Sequence, residues 1–405
     1  MLKLLVLADD MTGTLDTAIK FVDAGVRTLV TANIHYGFRD ENTDVLVMNT
    51  TTRHMTAEQA YRTVFDITCK AVEAGVPYLY KKVDSALRGN IGAELSAMLD
   101  ASGQNQLTFL PAFPQMGRVT VDGVQWVDGK PVHESVFGSD PFEAVSYSYI
   151  PDIIAQQSQV QTTVVPAGQT TDVQGVNVYD CVSDEDMKQT AKLLMENKRL
   201  HVMAGCAGFA AVLPEHLWFE KCERQRLFPE ERLLVLCGSV NPITRNQIAF
   251  AQRNGFRRVL LQDAALADGI SDNQVEQIRK VWQEEAPMIV VTSNDSLAEG
   301  DELSRARERV SENLSSLLAC MLDDGFKATL LITGGDTLLA VLCRLGIESI
   351  TPLWEIAPGA VYSTFQYHGK KHDLISKAGG FGTAEFFVEM NERLKAARRE
   401  EICTH

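Results

Sequence analysis

The segment Leu331-Ile-Thr-Gly-Gly-Asp-Thr337 has the residue types and spacing best suited to chemistry in this sequence. An apolar run, Ala328 to Ile332, leads into paired glycines, an acid and a hydroxyl, and a helical pattern, Leu338 to Leu345, follows at once. A strand that passes through glycines into a helix start offers unpaired backbone N–H groups at the positive end of the helix dipole, which favours phosphate. The sequence has no Walker A motif, and an ordinary turn between a strand and a helix is the alternative interpretation.

The first predicted strand ends in two acids, within the segment Ala8-Asp-Asp-Met-Thr-Gly13. We expect Asp10 or Thr12 to cap the following helix, because short polar side chains accept hydrogen bonds from the first free N–H groups of a helix. That leaves Asp9 to bind a hydroxyl or a cation. The alternative is a capped turn with one solvated aspartate.

Four residues of complementary chemistry follow the third predicted strand, namely Lys82, Asp84, Arg88 and Asn90. Lys and Arg hold carboxylates, Arg in a bidentate fork, while Asp and Asn bind hydroxyls. The set is therefore typical of a site for a small polyhydroxy acid. A solvated loop with internal salt bridges is the alternative.

Several other loops follow predicted strands, and in open α/β sheets ligands bind beyond the carboxyl ends of the strands. The loop 49–54 is rich in hydroxyls and contains Arg53, and the loop 237–242 begins a helix. The loop 377–382 has three glycines in four positions, which permits close backbone approach to a ligand. We interpret the segment 355–359 as a turn that carries a buried acid.

The charge balance excludes some classes of partner. The chain has 405 residues, with 38 Lys plus Arg against 53 Asp plus Glu, and a formal net charge of −15. This acidity argues against binding to nucleic acid or to an anionic membrane. An anionic ligand must therefore be held by a local basic pocket.

The cysteines and the apolar segments predict a soluble cytoplasmic protein. The eight cysteines are scattered without a C-x-x-C pair, which fits reduced thiols better than a disulfide framework. The apolar N-terminus resembles a first buried strand rather than a signal peptide. No apolar stretch approaches the roughly 20 residues that cross a bilayer.

Alternating apolar runs and helical periods predict an α/β fold with parallel sheets and helices on both faces. The alternation breaks at 121–132, which we interpret as a β-hairpin, and at 133–150, an irregular loop. Residues 212–231 lack a clear strand and carry many charges, so the domain boundary is expected there. The prediction is two domains, 1–220 and 221–405, each a mainly parallel sheet flanked by helices.

Taken together, these segments resemble one family, the four-carbon acid sugar kinases. The similarity is collinear over nearly the whole chain and is carried by seven segments: 7–18, 81–94, 111–118, 127–135, 238–239, 334–337 and 377–382. Two segments depart from the family pattern. This chain has Met11-Thr-Gly-Thr14 where Phe-Thr-Gly-Ala is common, and Lys377-Ala-Gly-Gly-Phe-Gly382 where Lys-Ser-Gly-Asn-Phe-Gly is more frequent.

The resemblance implies an N-terminal domain that binds a short sugar acid, a C-terminal domain that binds ATP, and an active site in the cleft between them. By motif, the residues expected to face the acid are Asp9, Asp10, Arg53, Lys82, Asp84, Arg88 and Asn90. Those expected to face the nucleotide are Ser239, Gly334, Gly335, Asp336, Thr337 and Gly380.

The resulting hypothesis is ATP-dependent phosphorylation of the terminal hydroxyl of a small aldonic acid such as threonate or erythronate. Lys82 and Arg88 would hold the carboxylate, and either Asp84 or Asp10 would orient or deprotonate the attacking hydroxyl. Asp336 would reach Mg²⁺ through water, and no direct metal ligand is assigned. The alternatives are a sugar-acid dehydrogenase or aldolase, or a sensor that binds the acid without catalysis. Assembly into a homo-oligomer stays open.

Overall fold

The computed structural model describes residues 2–140, 143–222, 230, 232–239, 241–261, 270–284, 286–292 and 301–404, without the side chains of 301–307 and 398–404. The chain divides into two compact units, Met1–Glu223 and Arg224–His405. The boundary predicted after residue 220 adjoins residues 223–229, which lie outside the described part of the chain.

The first unit is built on a sheet of parallel strands. They are β1 Leu4–Ala8, β2 Thr28–Thr31, β3 Val45–Asn49, β4 Tyr78–Lys82, β5 Gln106–Leu110, β9 Thr162–Val165, β10 Gly175–Tyr179 and β11 Val202–Gly205. Their order across the sheet is β2-β3-β1-β4-β11-β5-β10-β9. The residues of β1 and β3 are buried throughout, as expected of a parallel sheet covered on both faces.

Helices connect these strands. They are α1 Met11–Asp23, α2 Ala57–Glu73, α3 Ile91–Ser102, α4 Ile150–Ala155, α5 Asp184–Glu196 and α6 Ala207–Val212. Antiparallel pairing occurs where the hairpin 121–132 was predicted, and it begins earlier than expected. The strands are β6 Arg118–Val121, which starts before the predicted range, β7 Val124–Val127 and β8 Lys130–Pro131. Asp122 and Gly123 both have positive φ at the hairpin turn, as a two-residue turn of this kind requires.

The strand register places the functional loops at one edge. Ala8 pairs with Asn49 on one side and with Lys82 on the other, so β1, β3 and β4 end at the same level. The residues that follow these strands therefore meet at the carboxyl edge of the sheet, where α/β folds bind ligands.

The strands of the second unit are β12 Leu233–Cys237, β13 Arg257–Leu261, β14 Met288–Thr292, β15 Thr329–Thr333, β16 Ile350–Ala357, β17 Ala360–Tyr367 and β18 Lys370–Lys377. Their order is β13-β14-β12-β15-β18-β17-β16. The first five in that order pair in parallel, and β17 pairs antiparallel with both β18 and β16. The helices are α7 Pro242–Arg253, α8 Asp272–Trp282, α9 Asp301–Asp323, α10 Gly335–Arg344 and α11 Phe386–Thr404.

Two predictions of local structure need correction. Glu355 lies inside β16 and is half-buried, so the turn is limited to Pro358 and Gly359, where Gly359 has a φ of 72°. The adjoining Trp354 stacks on Tyr362 of the neighbouring β17, with ring centroids 4.2 Å apart, which contributes to the pairing of the two strands. The last residue of the predicted irregular loop 133–150 begins α4.

The predicted α/β fold, with two domains of mainly parallel sheet flanked by helices, is confirmed. Among the residues described, no helix combines the length and the apolar character needed to cross a membrane.

Gly92 gives a direct test of the packing of α3 against α4. A Cβ added at Gly92 would lie 2.2 Å from the carbonyl oxygen of Ile154, a backbone atom that cannot move aside cheaply. We expect Gly92→Ala to destabilise the first unit by roughly 1–3 kcal/mol through overpacking, measured as a lower thermal unfolding temperature. Gly37→Ala is the control, because a Cβ there meets nothing within 4 Å. Equal unfolding temperatures for the two variants would contradict the packing described here.

Candidate active site

Arg53 joins the loops that follow β1 and β3. Its Nε and Nη2 atoms donate to the two carboxylate oxygens of Asp9 at 2.8 and 3.0 Å, and its Nη1 donates to Asp10 Oδ2 at 2.8 Å. The guanidinium is only 9% exposed, and its Nη2 also lies 3.9 Å from Asp84 Oδ1. One cation therefore neutralises two adjacent acids and stands close to a third.

This pairing corrects the expectation that Asp9 is free for a ligand. Asp9 is buried, and burial alone would raise its pKa, but the charge of Arg53, assisted by Lys81 and Lys82, lowers the pKa below its ordinary value. Asp9 is thus an ionised, fully paired group that anchors Arg53. Of the two predicted alternatives, Asp10 and Thr12, Asp10 caps α1, because its Oδ1 accepts the Gly13 N–H at 2.9 Å.

Arg88 and Asp84 form the second tight pair. Arg88 Nε and Nη2 each donate to an Asp84 oxygen at 2.9 Å, and Arg88 Nη1 reaches Asp140 at 3.4 Å. Asp84 also accepts the Ala86 N–H at 3.1 Å. Burial would raise the pKa of Asp84, but the hydrogen bonds from Arg88 and the charge of Arg53 hold it well below its usual range. Asp84 is consequently a weak proton acceptor.

Lys82 differs from the two arginines. It is 5% exposed, and its Nζ donates to the carbonyl oxygen of Val83 at 2.7 Å. Within the described ranges its ammonium forms no ion pair with a carboxylate, although it is near enough to Asp9 and Asp84 to lower their pKa values. A Cβ added at Gly13 would lie 2.6 Å from Asp10 Oδ1 and 2.9 Å from Lys82 Nζ, so glycine keeps the space beside these two groups open.

Asn90 has a structural contact in place of a free amide. Its Nδ2 donates to the carbonyl oxygens of Thr52 and Met55, both at 2.9 Å, and so ties the start of α3 to the loop that carries Arg53. In the same loop Thr51 has a positive φ of 53°, which is rare for a β-branched residue and is supported by a hydrogen bond from its N–H to Asn49 Oδ1.

The sequence analysis missed a buried ion pair behind these groups. Lys81 Nζ lies 3.1 Å from Glu94 Oε2, both side chains are fully buried, and Thr52 donates to the other Glu94 oxygen. Burial raises the pKa of Glu94, and the charge of Lys81 opposes that shift. The single acid among apolar residues at the start of α3 was the available signal for this pair.

A pocket of about 250 Å³ adjoins the two guanidiniums. Its lining includes Arg53, Arg88, Asn90, Glu143, Tyr147 and Gln157. Three N–H groups of each arginine and the amide of Asn90 donate within the protein, and neither Lys82 nor Asp10 lines this pocket. Both guanidiniums are therefore oriented by carboxylates of the protein, although an arginine has five N–H donors in all.

In the second unit, β12, β15 and β18 end at one level, because Cys237 pairs with Thr333 and Thr333 with Lys377. Of the residues predicted to face a nucleotide, Ser239, Gly334 and Gly380 lie in the loops that follow these strands, and Gly335, Asp336 and Thr337 lie in the first turn of the helix that follows β15. Gly334 has a φ of 108°, a region in which glycine is favoured, and its N–H donates to the Lys377 carbonyl at 3.0 Å. Helix α10 then begins at Gly335.

These loops approach one another closely enough to exclude side chains. A Cβ added at Gly238 would lie 1.8 Å from Thr337 Oγ1, and one added at Gly379 would lie 2.2 Å from Ser239 Oγ. Thr244 of α7 fixes the third loop by donating to the Gly379 carbonyl at 2.8 Å.

The residues predicted to face the nucleotide differ in how far their side chains are exposed to solvent. Asp336 is exposed in the first turn of α10, while Thr337 is buried with its hydroxyl 3.3 Å from that of Ser311. Gly380 has Asn241 Nδ2 as its neighbour, 3.4 Å from an added Cβ. In the part of the chain that the structure describes, no cluster of three or more His, Cys, Asp or Glu side chains is arranged to hold a metal ion.

The charged sheet edge in the first unit suits a small polar ligand, and the glycine-lined helix start in the second unit suits a phosphate group. Comparison with known protein families supports the same division between the two units. Residues 4–213 match the model of a sugar-binding N-terminal domain, and residues 234–387 match that of a nucleotide-binding C-terminal domain. The chain belongs to the four-carbon acid sugar kinase family, which confirms the predicted family and the prediction of an ATP-dependent sugar-acid kinase.

Its relatives match it over nearly their full length. A D-threonate kinase of Salmonella typhimurium is 32% identical, covering 94% of this chain and 96% of the relative, and one of Bordetella bronchiseptica is 31% identical, covering 97% and 98%. A crystal structure from Salmonella typhimurium LT2, of a protein named as a tRNA synthase, superimposes with a TM-score of 0.80 at 25% identity, covering 96% of this chain and 99% of that chain.

Arg53 provides a prediction that separates buried from exposed ion pairs. Arg53→Met leaves Asp9 buried without its partner, and we expect a loss of about 3–5 kcal/mol in the free energy of unfolding near pH 8. Without Arg53, burial raises the pKa of Asp9, so protonation relieves the penalty and the deficit against wild type shrinks as the pH falls toward 5.

Unfolding measured at both pH values tests this expectation. In the wild type, ionised Asp9 contributes to the free energy of unfolding at every pH above its unfolded-state pKa of about 4. That contribution is lost only as the pH falls through the lower pKa of Asp9 in the folded protein. Arg62→Met is the control, since the Arg62–Glu58 pair is exposed and is expected to contribute little. A pH-independent deficit in Arg53→Met would show that Asp9 does not depend on Arg53.

Proposed function

We propose that this protein transfers the γ-phosphoryl group of ATP to the terminal hydroxyl of a four-carbon sugar acid such as threonate or erythronate. Relatives named D-threonate kinase, D-erythronate kinase and 3-oxo-tetronate kinase support this substrate class. The first unit binds the acid and the second unit binds the nucleotide.

One observation carries the proposal for the acid. Arg53 and Arg88 are each held by carboxylates of the protein, whereas the Lys82 ammonium, at the same sheet edge, donates only to a backbone carbonyl among its described contacts. The ammonium is near enough to Asp9 and Asp84 to lower their pKa values but forms a direct ion pair with neither, so the carboxylate of a ligand would supply the direct charge contact that it lacks. Lys82 therefore binds the carboxylate of the substrate, and the arginine pairs keep the surrounding loops in place.

Asp10 is the better of the two candidates for accepting the proton of the attacking hydroxyl. Asp84 is weakened as a base by its bidentate contact with Arg88, and its side chain is 12% exposed. Asp10 is 28% exposed and accepts one N–H at each oxygen, from Gly13 and from Arg53. Asp84 instead orients Arg88. Phosphoryl transfer needs alignment and charge neutralisation more than covalent help, so one positioned acceptor is sufficient.

The nucleotide is held mainly by backbone groups. The N–H groups at the start of α10 and the glycines of the loops 237–239 and 378–382 suit a phosphate chain. Mg²⁺ is commonly bound in kinases by one or two carboxylates together with substrate phosphates and water, and the exposed Asp336 in the first turn of α10 fits that role. The ion, when bound with ATP, supplies charge neutralisation for the phosphates.

A coupled ADP-release assay tests the function. With Mg-ATP and a panel of four-carbon acids, the wild type is expected to release ADP with at least one of them. Lys82→Met is expected to raise the KM for that acid by roughly 10- to 100-fold, the value of one charge-assisted contact, while the KM for ATP stays nearly unchanged. Lys70→Met, on the exposed end of α2, is the matched control. ADP release that is independent of every acid, or an unchanged KM in Lys82→Met, would contradict the proposal.

Asp10→Asn separates the role of the proton acceptor from that of the helix cap. Asparagine caps helices about as well as aspartate, but it loses the charge that Asp10 presents to Arg53, so a modest fall in the unfolding temperature is expected and is measured beside the kinetics. The loss of the acceptor is expected to lower kcat by roughly 10²- to 10⁴-fold with a smaller change in the KM for the acid. Steady-state kinetics of Asp10→Asn beside Asp84→Asn decides between the two carboxylates. A kcat near wild type in Asp10→Asn would remove Asp10 from the chemical step.

A further inference from the structure

Lys377 is a buried cation whose charge nothing in the described part of the protein neutralises. It is the last residue of β18 and is 3% exposed. Its Nζ donates to the carbonyl oxygen of Ala378 at 2.9 Å, and the ring of Phe386 lies 5.7 Å away. None of the carboxylates in the described ranges pairs with it, and burial lowers its pKa to about 8. Burying a charge in this way is costly unless a partner of opposite charge is provided.

The position of Lys377 connects it to two of the glycine loops. Its backbone carbonyl accepts the Gly334 N–H at 3.0 Å, one residue before α10 begins, and Ala378 to Gly380 follow it directly. In the adjacent strand Thr333, which pairs with Lys377, has a buried hydroxyl with no hydrogen-bond partner among the described atoms. An unneutralised ammonium and an unbonded hydroxyl thus belong to paired residues at the ends of neighbouring strands, next to the helix start.

The groups around Lys377 do not supply a negative charge. The titratable group beside it is Cys237 of β12, whose pKa burial raises to about 12, so this thiol is neutral near physiological pH. The side of α11 that it meets presents the Phe386 ring. The counter-charge must therefore come from a bound anion.

We propose that the Lys377 ammonium binds the phosphate chain of the nucleotide at the start of α10. This inference rests on the proposed function, because it takes the nucleotide as the ligand of the second unit, and it adds a side-chain cation to a site otherwise made of backbone amides. A phosphate oxygen replaces the Ala378 carbonyl as the acceptor, or shares the ammonium with it, since an ammonium has three N–H donors. The contact discriminates between nucleotides and nucleosides.

The experiment compares ADP and adenosine as probes, by titration calorimetry on the full-length protein with Mg²⁺ present. Lys377→Met is expected to weaken ADP binding by roughly 10- to 100-fold and to leave adenosine binding within about twofold. Lys370→Met, an exposed lysine at the opposite end of the same strand, is the control and should bind ADP as the wild type does. Because Lys377→Met removes an unneutralised buried charge, the ligand-free variant should unfold at the same temperature as the wild type or higher.

A pH series adds a measurement that a purely structural lysine would not change. Above pH 8 the Lys377 amine of the free protein is increasingly neutral, so wild-type affinity for ADP is expected to fall between pH 7 and pH 9. The fall should be absent in Lys377→Met. Lys377→Arg keeps the charge at every pH and should retain ADP affinity within about threefold without the fall above pH 8. This variant also keeps the test available if Lys377→Met does not fold.

The outcomes separate the two proposals. If the wild type binds ADP and Lys377→Met binds it equally well, the role of Lys377 is wrong while the kinase assignment stands. A lower unfolding temperature of ligand-free Lys377→Met, together with equal losses for ADP and adenosine, would assign Lys377 a structural role and overturn the inference. If the wild type binds neither ADP nor ATP, both the proposed function and the role of Lys377 fail.

Discussion

The first unit depends on the contact of one guanidinium with two neighbouring aspartates. Asp9 and Asp10 follow a buried strand and would repel each other, and Asp9 has no access to water that could stabilise its charge. Arg53 resolves both problems, because it binds both oxygens of Asp9 and one of Asp10. The same contact fixes the loop after β3 against the end of β1. The loops that would bind a ligand are therefore held in place by ion pairs inside the protein before any ligand arrives.

Because carboxylates of the protein bind Arg53 and Arg88, two buried lysines are the cations left to bind anionic ligands. Lys82 ends β4 and Lys377 ends β18, both are buried, and each donates from Nζ to the carbonyl of the following residue. The same arrangement thus occurs at a strand end in each unit. A lysine that rests on a backbone carbonyl can exchange that weak acceptor for a carboxylate or phosphate oxygen with little movement. Preorganisation of this kind lowers the cost of binding a small anion.

The sequence predicted the parallel strands and the edge at which the polar residues gather, because buried strands are continuous apolar runs and the loops after them are short. It also predicted that Asp10 or Thr12 caps α1, and the structure assigns the cap to Asp10. It could not predict which acid pairs with which base, since Asp9 and Arg53 follow different strands and several other charged residues, among them Lys82, Asp84 and Arg88, gather at the same edge. The strands β2, β9 and β16 are poorly marked in the sequence, because β2 and β9 are short and rich in threonine and β16 contains Pro352. The buried Lys81–Glu94 pair escaped for a similar reason, as burial of a charge is decided by tertiary contacts.

The division between structural arginines and ligand-binding lysines can be tested most directly by a crystal structure with a four-carbon acid and a non-hydrolysable ATP analogue bound. We expect the carboxylate of the acid within hydrogen-bond distance of Lys82 Nζ, with Arg53 still on Asp9 and Asp10 and Arg88 still on Asp84. An acid bound to Arg88 in place of Asp84, or bound with no contact to Lys82, would contradict that division.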